Sequence, residues 1–109
     1  MTVQTLAQNE HITAIAMPAP EREVSGAYVG DLLSWVMGRA AADCAWVTIM
    51  SNLNIVAVAS LADVSCIVLA EDVSVDEAVR DAAAARQVNL LQSSLPAYET
   101  ALLLHENGV

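Results

Sequence analysis

The feature that most constrains this chain is a series of short apolar runs, each closed by a polar turn. Ser65-Cys-Ile-Val-Leu-Ala70 is the sharpest. Its aliphatic and β-branched residues show no polar alternation, which fits a strand buried on both faces. Cys44-Ala-Trp-Val-Thr-Ile-Met50 has the same character, and Val88-Asn-Leu-Leu-Gln92 is a shorter third case. Segments of helical length lie between them. Ile55-Val-Ala-Val-Ala-Ser-Leu-Ala62 has mixed propensity, since its β-branched residues favour strand. Its position decides, because parallel neighbours at 44–50 and 65–70 need a crossover and no other segment supplies one. Asn52 or Asn54 caps that helix. Ser74-Val-Asp-Glu77 has capping-box spacing, opening a helix to about Arg86 that buries Val75, Val79, Ala82 and Ala83. Ser93 or Ser94 caps the last helix, which tolerates Pro96 in its first turn and lines one face with Tyr98, Ala101, Leu102 and His105. The order from Cys44 onward is strand, helix, strand, helix, strand, helix. That is an α/β domain with a mainly parallel sheet flanked by helices.

Residues 1–43 lead into this core of 44–109, within one domain. Residues 2–9 form a short helix with Thr2 as cap and Val3, Leu6 and Ala7 on one face. His11-Ile-Thr-Ala-Ile-Ala16 alternates as a strand, and two prolines make Met17–Arg22 a turn. Val24, Ala27 and Val29 are strand-compatible, punctuated by Gly26 and Gly30. Asp31 then caps a helix carrying Leu32, Trp35, Val36 and Arg39, which Gly38 stops in a left-handed conformation.

With 109 residues the chain builds one core, yet 56% of them are apolar. That surplus points to self-association, with a dimer favoured. The net charge of −9, with four arginines and no lysine, speaks against nucleic-acid and anionic-membrane partners. Cys44 and Cys66 lack paired metal-site spacing and sit in apolar runs, as buried thiols do. Residues 44–62 carry no charge over a length near that of a spanning helix. The polar cluster Ser51, Asn52 and Asn54 at its centre argues instead for strand, turn and helix. No charged leader opens the chain, which predicts a cytoplasmic protein.

In open parallel sheets, ligands collect beyond the carboxyl ends of the strands. The candidate ligand residues are therefore Ser51, Asn52, Asn54, Glu71, Asp72, Ser93 and Ser94. The same residue types at helix starts also serve simply as caps. There is no phosphate loop, dinucleotide fingerprint or nucleophile elbow, and neither His11 nor His105 has a metal-ligand partner at helical spacing. No catalytic residue, cofactor or metal is expected. Trp35 and Trp46 read as core or interface anchors.

From Asn52 to the end, the sequence resembles the DRTGG domain, which is itself similar to the amino-terminal domain of HPr kinase/phosphorylases. The similar features are Asn54-Ile-Val-Ala-Val-Ala, Cys66-Ile-Val-Leu-Ala, Val75-Asp-Glu with Ala-Ala-Ala-Arg-Gln-Val-Asn-Leu-Leu, and Leu95-Pro-Ala-Tyr-Glu-Thr-Ala. Gly26-Ala-Tyr-Val-Gly-Asp-Leu resembles the opening of short stand-alone members. The resemblance covers roughly half the chain and lacks the Asp-Arg-Thr-Gly-Gly run itself; Leu-Ala-Glu-Asp72 replaces a glycine-rich turn. It implies a regulatory or sensory module without the kinase domain, dimeric, with a small metabolite or nucleotide as ligand. The alternatives are a structural adaptor in a larger complex, or a small enzyme whose site, with Glu71, Asp72 and Asn52, is completed across a dimer.

Overall fold

A computed structural model describes residues 1–109. The apolar runs pair as parallel strands: β2 (Gly26–Val29), β3 (Cys44–Thr48), β4 (Cys66–Leu69) and β5 (Leu90–Ser93). Strand β1 (Ile12–Ala16) closes the far edge antiparallel to β5, so the sheet order is β1-β5-β4-β3-β2. The two strands from residues 1–43 thus occupy opposite edges. The segment 44–62 is strand, turn and helix, and no helix is long and apolar enough to cross a membrane.

Strand alternation sends successive side chains to two cores. On one face Trp46, Ile67, Leu69 and Leu90 pack under α2 (Leu33–Arg39), α3 (Leu53–Ala62) and α4 (Glu77–Ala85). On the other Ala45, Val47, Cys66, Val68 and Leu91 pack under α1 (Val3–Ala7) and α5 (Ala97–Glu106). Trp46 is fully buried, and its indole N–H donates to the Gly30 carbonyl at 2.8 Å. Cys44 and Cys66 are free thiols inside the sheet, and burial pushes both pKa values up, Cys66 to about 12.

Thr2 caps α1 and Asn52 caps α3 as the sequence implies. Other ends differ, because tertiary partners replace local ones. Gly38 lies inside α2, and the helix ends at extended Ala40. Ser74 stays outside α4, whose N-cap is Asp76 without a side-chain bond, so no capping box forms. Val79 and Ala83 are buried there, while Val75 and Ala82 are half-buried. Neither Ser93 nor Ser94 caps α5, where Pro96 is the N-cap. The face of α5 is reversed too: Thr100, Leu103 and Leu104 are buried, whereas Tyr98, Leu102 and His105 point outward. Trp35 is not in the core; it is 52% exposed, with Arg39 stacked 3.7 Å above its ring.

Candidate functional site

The carboxyl ends of β2 to β5 bring four loops to one edge. At the first, Asp31 does not cap α2. Its carboxylate accepts from the Thr48 hydroxyl at 2.7 Å and the Ile49 N–H at 3.0 Å, tying the end of β2 to the end of β3. At the second, Ser51 is half-buried and Asn52 and Asn54 are exposed; the Asn52 side chain accepts the Asn54 N–H at 3.0 Å.

The third and fourth loops are stitched together. Glu71 N–H donates to the Leu95 carbonyl at 2.8 Å, and Asp72 N–H to the Ser93 carbonyl at 3.0 Å. The Glu71 carboxylate then accepts the Ala97 N–H at 2.9 Å. A residue from the β4 loop therefore does the capping work at the start of α5. The geometry requires Glu71 and Asp72 both to be left-handed, at φ +64° and +53°. Each such non-glycine residue costs about 1–2 kcal/mol, held in place by these bonds. Ser93 is fully buried: its hydroxyl pairs with the Thr100 hydroxyl at 2.8 Å and accepts the Leu95 N–H at 3.1 Å. Ser94 is exposed and gives its N–H to the His11 carbonyl at 3.0 Å.

Beside these loops lies a cleft of about 560 Å³, open to solvent and lined by Ala14, Ile15, Ser74, Val75, Glu77, Arg80 and Gln92. It runs between edge strand β1 and the first turns of α4. Ala14, Ile15 and Val75 give it an apolar wall. Gln92 donates through Nε2 to the Val73 carbonyl at 2.7 Å, leaving its amide oxygen as an acceptor. Arg80 leans on Glu77 at 3.1 Å and Asp81 at 3.7 Å and is half-exposed, with further N–H groups to offer. A cleft of this size, with one apolar wall and a few polar groups, suits a small polar molecule.

The seven residues predicted from sequence fall into two groups, one at β3 and one across β4 and β5. None lines the cleft. Ser74 and Gln92 of the cleft lie within two positions of Asp72 and Ser93. Strand-end reasoning missed Gln92 because successive strand residues face opposite sides, and Arg80 because it stands one turn into a helix. No group of three His, Cys, Asp or Glu side chains converges as metal ligands.

No protein-family model matches the sequence, and no curated protein matches it. Among solved structures, the chain is similar to the CBS and DRTGG domains of the regulatory region of a Clostridium perfringens pyrophosphatase, crystallised with its activator diadenosine tetraphosphate. The TM-score is 0.68 at 9% identity, covering 85% of this chain and 41% of that one. At that identity the likeness concerns the fold. The chain has the α/β architecture found within that regulatory region and spans under half of its length.

Proposed function

We propose that this chain is a non-catalytic regulatory domain that senses a small metabolite or nucleotide at the carboxyl edge of its sheet and works as a self-associated subunit, a dimer, in the cytoplasm. The observation that carries the reading is the cleft between β1 and α4, which opens beside Gln92 near the carboxyl end of β5. Ser74, Arg80 and Gln92 supply its donors and acceptors, while Ser51, Asn54, Asp72 and Ser94 form a polar rim along the same edge. The fold likeness to a regulatory region that was crystallised with a nucleotide activator supports the ligand class.

The test is thermal unfolding against a panel of nucleotides, sugar nucleotides and metabolites. A ligand at a hundred times its Kd adds about 2.7 kcal/mol, a rise of several degrees in a domain of this size. Arg80→Ala and Gln92→Ala should weaken the response at least tenfold; Arg80→Ala should leave the unliganded Tm unchanged, whereas Gln92→Ala should lower it slightly by freeing the Val73 carbonyl. A flat panel overturns the sensor reading. It would favour a structural adaptor, for which the outward Tyr98 and Leu102 on α5 are the specific support.

A further inference from the structure

The two edges of the sheet are treated differently. Edge strand β1 is guarded: a register irregularity interrupts its pairing between Ala14 and Ala16, Pro18 and Pro20 follow, and α4 packs against it. Edge strand β2 is covered by α5 on one face and by the Met1–Val3 segment just ahead of it at Arg22–Val24, but Gly26–Val29 has no register irregularity. Gly26-Ala-Tyr-Val-Gly30 carries no charge and no proline, and no strand pairs with its outer side. Such an edge is a template for another strand.

Apolar side chains flank that free edge on both faces. Val29 lies on the α5 side in register with Val47, and Ile49 extends the same face at the end of β3. On the other side, α2 presents Leu32 and Trp35 one turn apart. Val29, Leu32, Trp35 and Ile49 are all 44–59% exposed. Together they offer on the order of 400 Å² of apolar surface, close to the apolar share of a standard interface of about 800 Å² per partner.

Charge selects the occupant. Two chains of −9 repel over most of their surfaces. Between Val24 and Trp35 the only charged residue is Asp31, whose carboxylate is held by Thr48 and Ile49. The nearest exposed charge on α2 is the cation Arg39. This is the strip along which like copies approach with least repulsion.

We infer that the β2 edge, with Val29, Leu32, Trp35 and Ile49, is a two-fold interface that pairs β2 with β2 of a second copy, antiparallel, into a continuous sheet. A two-fold axis perpendicular to the sheet makes the same patch serve both partners. The inference rests on the self-association in the proposed function and assigns its location.

The experiment is light scattering on the full chain across a concentration series, with Val29→Asp, Trp35→Ser and Leu61→Asp beside it. All three positions are exposed, so circular dichroism should report intact folds. Wild type and Leu61→Asp should show twice the 11.5 kDa chain mass, and Val29→Asp and Trp35→Ser should revert to the single-chain mass. A wild type that stays monomeric at every concentration overturns the inference. So does a dimer that survives both edge variants, or one that Leu61→Asp also breaks. A monomer that still answers the ligand panel removes the interface and keeps the sensor; a dimer with a flat panel does the reverse.

Discussion

The two ends of the sheet differ in what they leave open. At the amino ends of the parallel strands, side chains reach across long sequence distances to hold the backbone. Arg22 donates to Asp43 at 2.6 Å, to Asp63 at 3.1 Å, and to the Val64 and Asp63 carbonyls. Its net pKa is raised: burial acts to lower it, but the hydrogen bonds and charges of Asp43 and Asp63 outweigh that. Ser65, buried, donates to the Glu23 and Asp43 carbonyls. Asn89, also buried, donates to the Ala19 and Ser65 carbonyls and accepts the Ala19 N–H. At the carboxyl ends lie a solvent-open cleft and exposed apolar side chains, while left-handed backbone occurs at both ends, at Asp43, Asp63 and Gln87 as well as Glu71 and Asp72. Both ends carry long-range side-chain bonds, but only the carboxyl end also keeps a cleft open to solvent. Substitutions at the first should therefore act on stability, and at the second on binding as well.

The largest expected effect is Asn89→Ala. It orphans the Ala19 N–H and removes the donor to two carbonyls; only the Ser65 carbonyl bond is fully buried, at about 1–3 kcal/mol, and the part-buried Ala19 groups cost less because water can reach them. A total fall of about 2–4 kcal/mol in denaturant unfolding is expected. A fall below about 1 kcal/mol would mean that the proline turn is held by other groups, and the contrast between the two ends would weaken.

Next comes the pH dependence carried by Cys66 at the start of β4. Its folded pKa of about 12 stands above an ordinary value of 9.0 because burial disfavours the thiolate. An acid whose folded pKa is raised contributes its full stability below the unfolded pKa and loses it as pH rises toward the folded one. The window is therefore pH 9 to 12. By pH 10.5 the wild type should lose about 2 kcal/mol relative to Cys66→Ala. Parallel stability curves for the two proteins would show that the thiol is not sealed.

How much of this was legible follows from the range of each interaction. The runs at 44–50 and 65–70 could be read because a strand buried on both faces writes its burial into consecutive residues. The Asn52 cap could be read because its partner is two residues away. The edge assignments could not: β1 and β2 are sent to opposite edges by links such as Asn89 to Ala19, seventy positions apart. The capping of α5 by Glu71 is hidden for the same reason. The orientation of α5 was ambiguous because both flanks are apolar. Thr100 faces inward where the Ser93 hydroxyl meets it, a pairing without local signature. Near the cleft, Asp72 and Ser93 are close in sequence to its lining, but which neighbour faces it depends on strand register.

Arg22→Ala probes the same clamp from its exposed side. Asp43 and Asp63 are largely solvated, so screening limits each pair, and a loss of about 1 kcal/mol is expected. Arg22→Lys should recover only part of it, because an ammonium cannot span two carboxylates and two carbonyls in a planar fork. Full recovery by lysine would show that charge alone, without geometry, holds these turns.

The smallest effect tests the other end. Asp72 is exposed and left-handed at φ +53°. Its backbone N–H carries the bond to Ser93, and that bond survives loss of the side chain. Asp72→Gly removes the steric cost of the conformation and adds chain entropy to the unfolded state. A net gain of about 0.5–1 kcal/mol is expected by chemical denaturation. If the carboxylate also borders a ligand, the same variant should be more stable and yet respond less to that ligand. A stability gain with an unchanged ligand response would make Asp72 a turn residue only and confine the site to the cleft of Ser74, Arg80 and Gln92. A stability loss would mean that its side chain supports the turn, and that the carboxyl end is also built for rigidity.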